Sequence, residues 1–185
     1  MEVTTHDLIS MLHGVGFGAL FMLAFSGALT ELYRLGAQGG DNDRSLLNFF
    51  LLALVVLSWL TVFTGAYIIY PWYRAVPPAG ATDLADYPRR LLLANGQTSE
   101  WHNIGMEWKE HVAWLAPIAI TTVAYIVMKY RRAVLKRRRM RLAVLALSLA
   151  AFLSTALAGG LGILLKKYAP VRGGETIILM REGGQ

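Results

Sequence analysis

The chain has 185 residues, 55% of them hydrophobic and only 16% charged, with a positive mean hydropathy and a formal charge of +6. That length and composition suit a single small membrane-embedded bundle. The chain has no cysteine, which excludes disulfides, iron–sulfur clusters, covalent haem attachment and thiolate metal sites within it.

Four apolar runs follow one another: Leu8–Leu32, Leu46–Tyr70, Val112–Met128 and Leu142–Leu165. Each is about long enough to cross a hydrocarbon core of roughly 30 Å at about 1.5 Å per helical residue. The start, Met1–Asp7, carries Glu2 and Asp7 where a signal peptide needs a basic stretch. The first run is therefore expected to stay as a helix, capped by Thr4, Thr5 or Asp7. It includes Gly14, Gly16 and Gly18, and after Glu31–Arg34 it runs into a turn with Gly36, Gly39, Gly40 and Asp41–Arg44. The second span closes in an aromatic belt of Tyr67, Tyr70, Trp72 and Tyr73, with Pro71 expected to stop the helix. Residues 71–99, with four of the six prolines and Asn95-Gly96, read as an irregular loop holding a short helix near Tyr87–Ala94. Thr98 or Ser99 looks like the cap of a third helix that begins before its apolar core. Pro117 should bend that helix. Thr176–Met180 reads as extended, between glycines.

The fold class is thus all-α: four transmembrane helices at about 8–32, 46–70, 100–128 and 142–165, forming one bundle over residues 1–167 with a tail at 168–185. Orientation comes from Lys129–Arg141, which holds eight Lys/Arg and no acidic residue. Short loops this basic stay in the cytoplasm. Both termini, the 71–99 loop and the tail then fall on the outer side, periplasmic if the membrane is a bacterial inner membrane. The same loop explains the net charge, so nucleic acid is not an expected partner.

That threading puts His6, His13, His102 and His111 at or near the outer face. His13 lies 21 residues before Arg34 and His111 lies 18 before Lys129. Those spacings put the imidazoles roughly 31 and 27 Å above the inner boundary, while His6 and His102 stand at roughly 42 and 40 Å. Two neutral imidazoles at matched depth on different helices can hold one b-type haem as axial ligands. Gly14, Gly16 and Gly18 beside His13 would leave room for a porphyrin face, as would Gly65, Gly159, Gly160 and Gly162 at the ends of other spans. Lys109, Arg74, Arg89 and Arg90, with Trp108 and Trp101, are candidate partners for the haem propionates.

Simpler readings stand beside these. Membrane-helix glycines commonly serve close packing, and Gly14/Gly18 is a small-xxx-small pair. His111, next to Lys109 and Glu110, could be an interfacial residue without a ligand. His13 lies deep in an apolar run, where ionisable groups are usually functional. His6 and His102 read as interfacial residues or partners of propionates. A metal site among Glu107, Glu110, His111, His102 and His6 has no ligand spacing to recommend it. Ser58, Thr61, Thr121, Thr122, Ser148 and Ser154, the mid-membrane hydroxyls, can bond back to their own helices and do not suggest a transport path.

In helix count and in the His13/His111 placement, residues 8–165 resemble the small four-helix b-type cytochrome subunits that anchor membrane redox complexes. The resemblance implies one haem b near the outer face and electron exchange with an outer-side partner, such as a periplasmic c-type cytochrome or an iron–sulfur protein. A quinone could sit near Tyr67, Tyr70 and Trp114. The chain carries no catalytic constellation of its own, and the competing reading is a cofactor-free scaffold that holds neighbouring subunits in place.

Overall fold

The computed structural model describes residues 2–37, 44–130 and 132–178. The expected turn at Gly39, Gly40 and residues 41–43, Arg131 of the basic loop, and the tail from 179 onward lie outside them. In chain order the elements are β1 (Glu2–Thr4), α1 (Thr5–Leu35), α2 (Ser45–Tyr73), α3 (Pro88–Leu93), α4 (Gly96–Tyr130), α5 (Arg132–Lys136), α6 (Arg138–Tyr168) and β2 (Thr176–Ile178). The protein is mostly helical, and α1, α2, α4 and α6 are each long and apolar enough to span a membrane. It is a multi-pass membrane protein. Its outward faces carry Val15, Leu23, Phe49, Val56, Ile118 and Leu149, all strongly exposed, as hydrocarbon solvent requires.

Each long helix packs on the next in sequence, and α6 returns to α1 through Phe25 and Phe152, whose rings lie 5.2 Å apart. At the end that carries the basic segment, the core is built from Phe21, Leu35, Leu47, Leu51, Leu54, Ile120, Val127 and Val144. The opposite end, called the terminal end below, has a second core of Tyr73, Leu92, Met106, Leu165 and Ala169. There Pro88 and Leu92 of α3 are fully buried, so the 71–99 segment plugs the bundle end.

The two chain ends meet at that end. Glu2–Thr4 pairs antiparallel with Thr176–Ile178, Glu2 opposite Ile178 and Thr4 opposite Thr176. Extended character at 176–178 was legible; the partner strand was not, because three residues carry no alternation to read. Gly173 (φ +104°) and Gly174 (φ +83°) make the bend that returns the tail.

Local details depart from expectation in three places. Pro71 does not stop α2, which runs on to Tyr73. A π-helical turn at Gly65–Ile69 shifts the hydrogen-bond register one residue earlier, so the chain arrives at Pro71 already off the α ladder. The cap of α4 is Asn95, whose side chain accepts from Gln97 N at 2.8 Å, while the Thr98 hydroxyl donates to Leu92 O instead. Ser154 does not bond within its own helix but crosses to Val112 O at 2.8 Å. That carbonyl, five residues before Pro117, adjoins the interruption of α4 at Ala113–Trp114, where Ala116 N turns to Ala113 O instead. A neighbouring hydroxyl thus serves a backbone group that the proline-bent helix leaves over.

Candidate functional site

The terminal half of the bundle is irregular in a patterned way. Three of the four long helices carry a π-helical turn there: Leu12–Gly16 in α1, Gly65–Ile69 in α2 and Trp101–Met106 in α4. Such turns misalign one residue per helix and concentrate where side chains must be aimed. His13 lies in the first and His102 in the third, and the His13 ring rests on Gly65 of the second.

His13 is held by α2. Its Nδ1 lies 2.9 Å from Thr64 Oγ1, and that hydroxyl donates its own proton to Leu60 O at 2.7 Å and, more weakly, Thr61 O at 3.1 Å. The imidazole must therefore donate from Nδ1, which leaves Nε2 as a bare lone pair. The Thr61 backbone carbonyl is a further hydrogen-bonding neighbour of the ring. Metal-binding and proton-accepting histidines are commonly oriented this way, by a bond at the other nitrogen. Gly65 is required: a Cβ there would stand 2.9 Å from His13 Cε1.

Lys109 of α4 is an electrostatic neighbour of His13. Its side chain is half-buried, and Nζ would lie 2.9 Å from a Cβ on Gly162 of α6. Among the described residues it has no hydrogen bond and no ion pair. Ser10, one turn before His13 on α1, has a buried hydroxyl with no hydrogen-bond partner among the described residues. Buried polar groups are nearly always satisfied, so the orphaned Ser10 hydroxyl, one turn from His13, needs an explanation.

The other expected site residues are dispersed. His111 is two residues from Lys109, roughly 200° round the helix. Its side chain is 74% exposed, and its Nδ1 donates to Glu107 O at 2.9 Å, again leaving Nε2 bare. Trp108 is exposed. Arg74 is committed to Tyr70, donating to its hydroxyl at 3.1 Å and lying over its ring. Gly14 and Gly18 have no atom within 4 Å of where a Cβ would stand, whereas Gly16 meets its own Leu12. The chemistry of both histidines suits haem iron, but their surroundings differ: His13 turns to α2 and His111 to the outside of the bundle.

His6 and His102 are tied into the protein. His6 stacks on Trp72 with ring centroids 3.7 Å apart and donates from Nδ1 to Arg172 O at 2.9 Å. Tyr73 Oη lies 2.7 Å from His102 Nδ1, and Arg89 Nε points at His102 Nε2 from 3.5 Å. No group of three or more His, Asp or Glu able to hold a metal ion occurs among the described residues. Sequence reasoning singled out His13 and Lys109 but not Ser10 and Thr64, since a lone hydroxyl on an apolar helix carries no signal until its neighbours are known. No known protein family, characterised protein or solved structure matches the chain.

Proposed function

We propose that this protein is a membrane subunit of an electron-transfer complex, exchanging electrons between an outer-side redox partner and the membrane pool. The observation that carries this reading is His13: an imidazole held by Thr64 inside an apolar bundle, with Lys109 as an electrostatic neighbour. Intramembrane ionisable groups of this kind belong to redox and proton-transfer sites. The b-type haem implied by the resemblance finds a suitable axial ligand in His13 and a propionate partner in Lys109. The second axial ligand that the resemblance implies is His111 of α4, and no step is drawn through the haem. The terminal end, with the 71–99 segment and the paired chain ends, is the docking surface for a c-type cytochrome or iron–sulfur partner, and the membrane is a bacterial inner membrane.

The test is purification of the native complex by a tag on this chain. Redox subunits should co-purify, and His13→Asn should assemble yet lose electron transfer. An assembled His13→Asn complex running at the wild-type rate would support the competing reading, a cofactor-free scaffold. A pyridine haemochrome assay on the same material tests the haem. A signal lost in both His13→Ala and His111→Ala would establish the two-histidine haem.

A further inference from the structure

We propose that the cleft between the 71–99 segment and the end of α6 binds the headgroup of a phospholipid that carries a hydrogen-bond donor beside its phosphate, as phosphatidylethanolamine does. The cleft has a volume of about 430 Å³. Asp83, Leu84 and Leu91 of the plugging segment line it together with Lys167 and Tyr168 of α6 and Arg172 of the returning tail. Its size falls within the roughly 300 to 1,000 Å³ of small-ligand sites. Two of the lining side chains are cations and one is a carboxylate. Among the described residues none of the three makes an ion pair. Asp83 Oδ1 accepts from Ala85 N at 2.9 Å, which closes a local turn and leaves Oδ2 without a partner among the described residues.

Opposite charges that line one cleft without meeting call for a ligand that carries both signs. A bare anion would suit Lys167 and Arg172 but oppose Asp83. A phosphodiester beside a primary ammonium satisfies all three: its oxygens accept from the two cations, and its N–H groups donate to the open carboxylate oxygen. A trimethylammonium has the charge but no proton to give. The depth of the cleft points to a lipid as the source. Lys167 is 26 residues beyond Arg141, which is roughly 39 Å along a helix. A bilayer with both headgroup layers is roughly 40 to 45 Å thick, so a helix that starts in one layer at Arg141 reaches the other at Lys167. Ile163, one turn before Lys167 on the same helix face, is 72% exposed and gives an acyl chain an apolar track beneath the headgroup. Tyr168 adds an amphipathic ring at the boundary, where such rings settle.

The experiment is native mass spectrometry of the full chain in detergent, titrated with phosphatidylethanolamine or with phosphatidylcholine of the same acyl chains. The two lipids differ only in the methyl groups that replace the ammonium protons. Phosphatidylethanolamine should bind roughly fivefold tighter or more, the worth of a charge-assisted contact at a partly exposed site. Asp83→Asn keeps an acceptor for Ala85 N; it should lower phosphatidylethanolamine to the phosphatidylcholine level and leave phosphatidylcholine unchanged. Lys167→Gln and Arg172→Gln should each weaken both lipids by about fivefold. Lys166→Gln removes the same charge from a residue that lies outside the cleft, 3.8 Å from Asp7, and should change neither. Equal binding of the two lipids by the parent, or a preference that survives Asp83→Asn, would overturn the proposal. So would equal losses in Lys166→Gln and Lys167→Gln, which mark a general attraction to surface charge. Displacement of the lipid by equimolar glycerophosphoethanolamine would assign the cleft to a water-soluble phosphodiester and overturn the lipid source.

Discussion

His13 Nδ1 and Thr64 Oγ1 lie 2.9 Å apart across the interface of α1 and α2, and the hydroxyl has already given its proton to helix carbonyls. The direction of that bond fixes which nitrogen of the imidazole is bare. Thr64→Val should remove the acceptor, leave the His13 N–H unsatisfied and cost about 1 kcal/mol of stability. Thr64→Ser should keep the bond and the stability. Thermal unfolding in detergent reads the difference, and equal melting of the two variants would contradict the assignment.

Gly27 and Gly14 sit on the same helix and should behave in opposite ways. A Cβ on Gly27 would come within 2.5 Å of the Phe50 ring, at the interface of α1 and α2, while Gly14 has nothing within 4 Å. Gly27→Ala should destabilise by about 1 to 3 kcal/mol through overpacking. Gly14→Ala should be close to neutral. Adding Phe50→Leu to Gly27→Ala should recover much of the loss, a coupling that a double-mutant cycle measures.

The returning tail depends on two left-handed glycines and one histidine. Gly174→Ala would force a side chain into φ +83° and against Thr5, a strain of about 1 to 2 kcal/mol or more. His6→Ala would lose both the stack on Trp72 and the bond to Arg172 O. In either variant the amides of 175–178 should exchange with deuterium faster than in the parent, while α6 keeps its protection. Unchanged exchange at 175–178 would show that the strand pairing does not need these contacts.

Orientation is checked by single cysteines at Ala81 and Ala133. The basic excess at Lys129–Arg141 leads us to expect Ala133 in the cytoplasm and Ala81 outside. An impermeant thiol reagent applied to intact cells should label Ala81→Cys and spare Ala133→Cys. The reverse pattern would invert the protein and carry all four histidines inward.

The four spans were legible in the sequence because hydropathy over about twenty residues is a sum, insensitive to any one contact. His13 stood out for the same reason, as an ionisable group in a run where almost nothing else is polar. Direction round a helix is a different matter. Depth depends only on residue count, so His13 and His111 could be matched in height from the chain alone. Which way each faces depends on helix rotation, and three π-helical turns shift that rotation by one residue at a time. Only the packed bundle decided that Lys109 turns inward while His111 turns out, that Thr64 orients His13, and that the Ser10 hydroxyl is left with no partner.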